Sequence, residues 1–126
     1  MAAYKQYFII PASPDMVYRA LTHAPTITLW TGEPAIMEEI PDSEFSWWDG
    51  AICGKNIGFI PNKEIIQEWY FGDQPEASIV TIRLHDANGK TSLEVRQTNI
   101  PEADFENIAD GWKSVFGAAL IDFYRA

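Results

Sequence analysis

The sequence of 126 residues has few of the residues that build metal, redox or nucleophilic sites. Its single cysteine, Cys53, excludes an internal disulfide and a zinc site made of cysteines, and we interpret it as a buried structural thiol. Its two histidines, His23 and His85, lack metal-ligand spacing. Phosphate-binding, dinucleotide-binding and Gly-x-Ser-x-Gly motifs are also missing. We therefore expect no metal and no cofactor.

Positive charge is scarce as well. Nine Lys and Arg residues stand against 18 Asp and Glu residues, which gives a net charge of −9 at pH 7. Such a field repels nucleic acid and anionic membrane surfaces. No apolar run approaches the ~20 residues of a membrane-spanning helix, and the first residues do not resemble a signal peptide. These features predict a cytoplasmic protein with no nucleic-acid partner and no membrane insertion.

What the sequence does contain is ordinary globular composition, with 47% hydrophobic and 21% charged residues. The length favours one domain over residues 1–126. Turn signals at short intervals predict a strand at Tyr4–Ile10, a helix from Pro14 to about Leu21 with Ser13 as its N-cap, and a second short helix beginning near Pro25. Six further strands are then predicted at Glu33–Ile40, Glu44–Trp48, Ala51–Ile60, Glu64–Phe71, Ser78–His85 and Thr91–Thr98. Asp49-Gly50 indicates a two-residue hairpin, and Phe71–Pro75 a loop at the rim of the sheet.

A long amphipathic helix is predicted from Asp104 to about Tyr124. Its apolar positions step by three and four and form one stripe: Phe105, Ile108, Trp112, Val115, Phe116, Ala119, Leu120 and Phe123. The stripe must cover a surface, and the sheet is the one available. The predicted fold is therefore α+β, in the order β-α-α-β-β-β-β-β-β-α, with a curved antiparallel sheet gripping the C-terminal helix.

Alternation along the strands places two amides, Gln67 and Gln97, on the apolar inner face. A buried amide without partners costs about 1–3 kcal/mol, so each needs a hydrogen bond. The partner is either the protein itself or a ligand in a cavity. The acidic residues of the strands are assigned to a solvated outer face: Glu38, Glu39, Glu64, Glu68 and Glu94.

Aromatic residues give the stronger signal, since five tryptophans occur in the chain. They build either a large-residue core or the walls of a ligand cavity, and mostly apolar walls with a few polar groups are typical of small-molecule sites. The predicted walls are Trp30, Met37, Trp47, Trp69, Trp112 and Phe116. The side chains predicted to orient a ligand are Asn56, Gln67 and Gln97. Gly54 and Gly58 flank Asn56 and indicate either a bulge or extra room beneath the helix.

The order of landmarks resembles the helix-grip, START-like (SRPBCC) superfamily. Within it, the chain is similar to the activator of heat-shock protein 90 ATPase homologue family. The segments that carry this resemblance are Asp15-Met-Val-Tyr-Arg-Ala-Leu-Thr, Leu29-Trp-Thr-Gly, Asp49-Gly-Ala-Ile-Cys-Gly, Ile65-Ile-Gln-Glu-Trp, Thr91-Ser-Leu-Glu-Val-Arg-Gln and Gly111-Trp.

The resemblance implies a cavity between the sheet and the helix, where members of the superfamily bind lipids, sterols, hormones or polyketides. It supplies no catalytic residues. Our first hypothesis is a non-enzymatic binding domain for a small apolar or amphipathic molecule. The second is a chaperone-linked protein-interaction domain that works through its acidic exterior; the family's namesake also has an N-terminal domain for which this chain is too short. The third is a cyclase-like or hydrolase-like enzyme using Tyr18, Tyr70, His23 or His85.

Overall fold

The computed structural model describes residues 1–71 and 76–125. Residues 72–75 of the predicted rim loop lie outside the described residues. The elements up to the last strand are β1 (Ala2–Ile10), α1 (Pro14–Thr22), α2 (Ala24–Thr31), β2 (Glu44–Trp47), β3 (Ile52–Ile60), β4 (Glu64–Trp69), β5 (Ser78–Ala87) and β6 (Lys90–Ile100). A single 3₁₀ turn, Glu102–Asp104, leads into the final helix.

The strands form one antiparallel sheet in the order β1-β6-β5-β4-β3-β2. The chain therefore meanders from β2 to β6, and the N-terminal strand closes the far side by pairing with β6. One residue of β3, Ile57, is skipped in the pairing with β4, which places a bulge beside Gly58 and confirms one of the two explanations for that glycine. The helix-grip class predicted from the sequence is confirmed.

One predicted strand is wrong. Residues 33–40 make only an isolated bridge, in which Ile36 and Ser46 exchange two backbone hydrogen bonds of 2.8 and 2.9 Å. Pro34 has no N–H to offer a strand ladder, and the segment is held by side chains instead: Tyr18 donates to Glu39, and Asn56 donates to the Glu38 carbonyl. The described sheet thus has six strands, one fewer than the sequence suggested.

The C-terminal helix is continuous but changes its winding. It consists of α3 (Phe105–Asp110), a π-helical segment (Gly111–Gly117) and α4 (Ala118–Tyr124). At Gly117 the helix approaches β1 so closely that a Cβ would lie 2.6 Å from ring carbons of Phe8. Only glycine fits this crossing without displacing the phenylalanine ring. The tight contact anchors the helix across the inner face of the sheet, as the amphipathic stripe predicted.

The predicted inner faces are buried as expected. The fully enclosed strand residues include Trp47, Ile65, Gln67, Val80, Ile82, Leu93, Val95 and Gln97. They pack with α1, α2 and the C-terminal helix into one hydrophobic core. Glu94 lies on the outer face as predicted but is not solvated: it is only 4% exposed, because His85 and Arg96 cover its carboxylate. Cys53, interpreted as buried, is exposed.

Candidate functional site

An open cleft of about 650 Å³ separates the π-helical segment from the end of the sheet. The sheet contributes residues of β3 and β4, the β2–β3 turn contributes another group, and the helix supplies the opposite wall. The lining residues are Glu33, Trp48, Asp49, Ala51, Ile52, Cys53, Trp69, Tyr70, Phe71, Asn107, Ile108, Gly111, Trp112, Val115 and Phe116. The cleft is a groove between two packed layers, which is a common location for small-molecule sites.

Stacked aromatic rings form its walls. The indoles of Trp69 and Trp112 lie 4.9 Å apart with an interplanar angle of 19°, so the sheet and the helix meet through parallel rings. Phe116 lies one turn further along the helix, with its ring centroid 4.6 Å from that of Trp112. These three rings are buried and pack mainly on one another, so the part of each that borders the cleft has little conformational freedom.

Buried amides fix the two indoles. Trp112 donates through its indole nitrogen to Oε1 of Gln97 at 2.8 Å, and Trp69 donates to Oε1 of Gln67 at 3.0 Å. Both glutamines are fully enclosed. Each therefore holds one tryptophan of the stacked pair at a defined angle, because a buried indole N–H and a buried amide oxygen satisfy one another.

The same amides are satisfied on their donor sides. Gln67 donates to Oδ1 of Asn56 at 3.0 Å, and Asn56 donates in turn to Oγ of Ser43 at 3.1 Å. Gln97 donates to Oγ of Ser78 at 3.0 Å. Asn56, Gln67 and Gln97 do not line the cleft, and their polar atoms face protein partners. Contact of these three residues with a ligand stays a prediction, whereas their role in positioning the tryptophans is visible in the geometry.

The six predicted wall residues divide into two groups. Trp69, Trp112 and Phe116 line the cleft. Trp30, Met37 and Trp47 are buried and do not line it; Met37 borders a separate open depression, and Trp30 donates to the Ala20 carbonyl at 2.6 Å. Trp47 is fully enclosed, and its indole nitrogen has no hydrogen-bond partner within the described residues.

Trp48 is a lining residue that the sequence analysis missed. The predicted strand Glu44–Trp48 is one residue too long: β2 ends at Trp47 and a four-residue turn follows, in place of the two-residue hairpin expected at Asp49-Gly50. Trp48 has φ = 53°, a rare value for a bulky residue. With this backbone conformation, the ring centroid of Trp48 lies 5.3 Å from that of Trp30 and 5.9 Å from that of Phe116. The Asp49-Gly50 pair that follows Trp48 was the sequence signal for a turn at this point.

The polar lining residues are Glu33, Asp49, Asn107 and Tyr70, together with Cys53. Among the described residues that line the cleft, none is Lys, Arg or His. The described side chains also show no hydrogen bond or ion pair between two titratable groups of the lining. The cleft is thus an aromatic groove with carboxylates at its border.

The residues considered for catalysis are dispersed. Of these, Tyr70 alone lines the cleft. Tyr18 donates to Glu39 at 2.5 Å, and burial together with that carboxylate raises the pKa of the Tyr18 phenol well above its ordinary value. His23 and Tyr18 both line a separate open depression, where the His23 ring is hydrogen-bonded to the Thr26 hydroxyl. His85 lies on the outer face of the sheet, hydrogen-bonded to Glu94. The described structure does not assemble these groups into one acid–base site.

Within residues 1–71 and 76–125, no group of three or more His, Cys, Asp or Glu residues is arranged to hold a metal ion. None of the described helices combines the length and the apolar character that crossing a bilayer requires.

Comparison with known proteins places the chain among relatives of heat-shock protein activators. The family described as "Activator of Hsp90 ATPase homolog 1-like protein" matches residues 11–122. A curated relative from Mus musculus, "Activator of 90 kDa heat shock protein ATPase homolog 2", is 26% identical over 101 residues, which are 79% of this chain and 30% of that protein. A second activator homologue, from Dictyostelium discoideum, is 30% identical over 104 residues, or 80% of this chain and 27% of that protein. The chain therefore spans about a third or less of these relatives.

Solved structures show the same fold. An HSP90 activator from Plasmodium falciparum superposes with a TM-score of 0.82 at 22% identity, covering 90% of this chain and 89% of the other. The Aha1 dimer from Colwellia psychrerythraea also gives 0.82, at 23% identity, covering 98% and 96%. The family match spans most of the chain and agrees with the fold and with the relatives. The chain belongs to the Activator of Hsp90 ATPase homolog 1-like protein family.

Proposed function

We propose that this protein binds a small apolar or amphipathic molecule in the cleft between the π-helical segment and the sheet, without transforming it. The observation that supports this proposal is the groove of about 650 Å³ walled by Trp48, Trp69, Trp112 and Phe116. The groove is open on one side and its lining is largely apolar. Trp48 is partly exposed, whereas Trp69, Trp112 and Phe116 are buried and border the groove with only a small part of their surface.

The fixed geometry of the walls supports the same proposal. Gln97 and Gln67 hold the stacked indoles through buried hydrogen bonds. A ligand in the groove would therefore border side chains that are already ordered, and little free energy would be lost in ordering them. We infer that the ligand-binding set is the lining of the cleft, with the buried amides acting behind it.

The experiment is a thermal-shift and tryptophan-fluorescence screen with lipids, sterols and aromatic metabolites, carried out on the wild type and on Gly111→Leu. Gly111 lines the cleft, and a Cβ added there meets nothing within 4 Å, so a leucine would extend into the groove without a clash at its first atom. Binding to the folded state raises the midpoint of unfolding. We expect at least one class to stabilise the wild type and to stabilise the variant less.

A second candidate is an interaction with a chaperone, which the names of the curated relatives suggest. The acidic exterior proposed for this role is partly neutralised within the protein itself. Arg83 pairs with Glu64 at 2.9 Å, and Glu94 is covered by His85 and Arg96. Glu68 remains as an outward acid of β4 with no ion pair among the described residues. A pull-down with the wild type and Glu68→Lys tests this alternative.

For both proposed functions, ligand binding and chaperone interaction, we infer that the protein is cytoplasmic. A single unpaired cysteine is compatible with that reducing compartment.

A further inference from the structure

We infer that the cleft selects amphipathic molecules that carry an ammonium group over otherwise similar molecules that carry a carboxylate. The inference rests on the proposed function, because it concerns the ligand of the same site. It comes from the charges and the aromatic faces that border the groove.

Two acidic residues line the cleft, Glu33 and Asp49. The described lining contains no residue with a positive side chain. The protein as a whole carries a net charge of −9, so its average field also attracts cations. An anionic group that entered the groove would lose water and meet no counter-charge, whereas an ammonium group would meet carboxylates.

The fold brings these two acids to the same border. The backbone N–H of Asp49 donates to the Pro34 carbonyl at 3.2 Å, which joins the segment after α2 to the β2–β3 turn. Glu33 precedes that proline directly, and Trp48 precedes Asp49. Neither carboxylate takes part in an ion pair among the described residues. Both charges therefore remain available to a ligand.

The basic residues closest in sequence to the lining do not offset this charge. Lys113 follows Trp112 on the helix but is exposed and does not line the cleft, and Lys55 forms an ion pair with Asp42 at 3.8 Å. The indole of Trp48, the partly exposed tryptophan of the lining, acts in the same direction as the acids, because the face of an indole ring attracts a cation. Charge and ring chemistry thus favour the same class of ligand.

The test compares three naphthalene probes of nearly equal size: naphthylmethylamine, naphthylmethanol and naphthoate. Isothermal titration calorimetry at low ionic strength measures each dissociation constant. We expect the amine to bind on the order of fivefold more tightly than the alcohol and naphthoate to bind most weakly. Added salt should reduce the difference in dissociation constant between the amine and the alcohol, because salt screens the attraction between the ammonium group and the carboxylates.

The matched variant is Glu33→Gln/Asp49→Asn. Asparagine tolerates the positive φ of position 49 as well as aspartate does, so the turn is retained. We expect this variant to bind the amine and the alcohol equally. The control Glu38→Gln/Glu44→Gln removes the same charge outside the lining and should keep the preference of the wild type.

The possible outcomes distinguish failure of the charge preference from failure of ligand binding itself. If naphthoate binds as tightly as the amine, or if the cleft variant keeps the preference, the charge inference is overturned while ligand binding stands. If none of the three probes binds, both are overturned. A preference for the amine that disappears in the cleft variant and persists in the control supports the inference.

Discussion

The indole nitrogen of Trp112 donates a 2.8 Å hydrogen bond to the side-chain oxygen of Gln97, a residue that solvent does not reach. This bond links the C-terminal helix to β6 of the sheet. It also orients a ring that both lines the cleft and stacks on Trp69. The position of the cleft wall therefore depends on the pairing of one amide with one indole.

Removing that amide should destabilise the fold. In Gln97→Leu the indole N–H of Trp112 loses its acceptor while it remains buried, and we expect the free energy of unfolding to fall by about 1–3 kcal/mol. Urea denaturation measures the loss. The control Gln6→Leu removes an exposed hydrogen bond to the Tyr7 carbonyl and a long one, 3.5 Å, from the Tyr4 hydroxyl, and it should cost under about 0.5 kcal/mol. Equal stability of Gln97→Leu and the wild type would contradict a structural role for the amide.

Two glycines of the π-helical segment should respond to alanine with opposite signs. Gly117→Ala places a methyl group 2.6 Å from the ring of Phe8, and overpacking of this kind costs about 1–3 kcal/mol. Gly111→Ala meets nothing within 4 Å and should gain up to about 1 kcal/mol from helix propensity. Thermal or urea unfolding of both variants measures the difference. Partial recovery of Gly117→Ala by Phe8→Leu would identify the ring as the cause; two variants of equal stability would refute the close approach.

Alanine substitutions of the two neighbouring tryptophans, Trp47 and Trp48, should affect stability and ligand affinity differently. Trp47 is fully enclosed and does not line the cleft, so Trp47→Ala should cost about 3–5 kcal/mol. Trp48 lines the cleft and is only partly buried, so Trp48→Ala should cost less stability and should weaken ligand binding more than any loss of folded protein explains. Denaturation and calorimetry on the two variants give both quantities. The reverse ranking of their stabilities would show that Trp48 is a core residue.

Glu94 makes the stability depend on pH. Its hydrogen bond from His85, followed by that from Arg96, holds the pKa of the carboxyl below its ordinary value near 4.5. A carboxyl whose pKa is lower in the folded state stabilises the fold above the unfolded pKa and loses that contribution as the pH falls through the folded pKa. Since both partner side chains are about half exposed, we expect Glu94→Gln to cost about 1 kcal/mol at neutral pH.

The same variant should approach the stability of the wild type as the pH falls through the folded pKa of Glu94, which lies below 4.5 and at which the native carboxyl becomes protonated. Denaturation curves at a series of pH values follow the difference. Glu68→Gln, on the same outer face but without an ion pair among the described residues, provides the control. A difference between Glu94→Gln and the wild type that stays constant down to acidic pH would contradict the lowered pKa.

Periodicity predicted most of the fold, because apolar alternation and the helical stripe are local patterns that the core then satisfies. It identified the inner faces of β4, β5 and β6 and the helix that crosses them. It failed at residues 33–40, where apolar residues resemble a strand but side-chain bonds such as Tyr18–Glu39 hold the chain instead. It also failed at Glu94, since a rule that places acids in solvent does not anticipate the two basic side chains that cover this one.

The candidate site was predicted less completely. The inward position of Gln67 and Gln97 follows from alternation. Alternation does not predict their hydrogen-bond partners, because Asn56, Ser78 and Trp112 are distant in sequence and the bond with Trp69 depends on the orientation of its ring. Trp48 was missed because its positive φ redirects the side chain. The sequence pattern thus indicated which residues face the helix, whereas only the three-dimensional packing distinguishes those that border open space.

The most direct test of the account is a two-dimensional NMR titration that follows the indole N–H signals of the five tryptophans while naphthylmethanol, the uncharged probe, is added. The account predicts saturable shifts for Trp48, Trp69 and Trp112, smaller changes for the buried Trp30 and Trp47, and weaker binding in Gly111→Leu. Shifts that do not saturate, or that are the same in wild type and Gly111→Leu, would contradict a ligand site between the helix and the sheet.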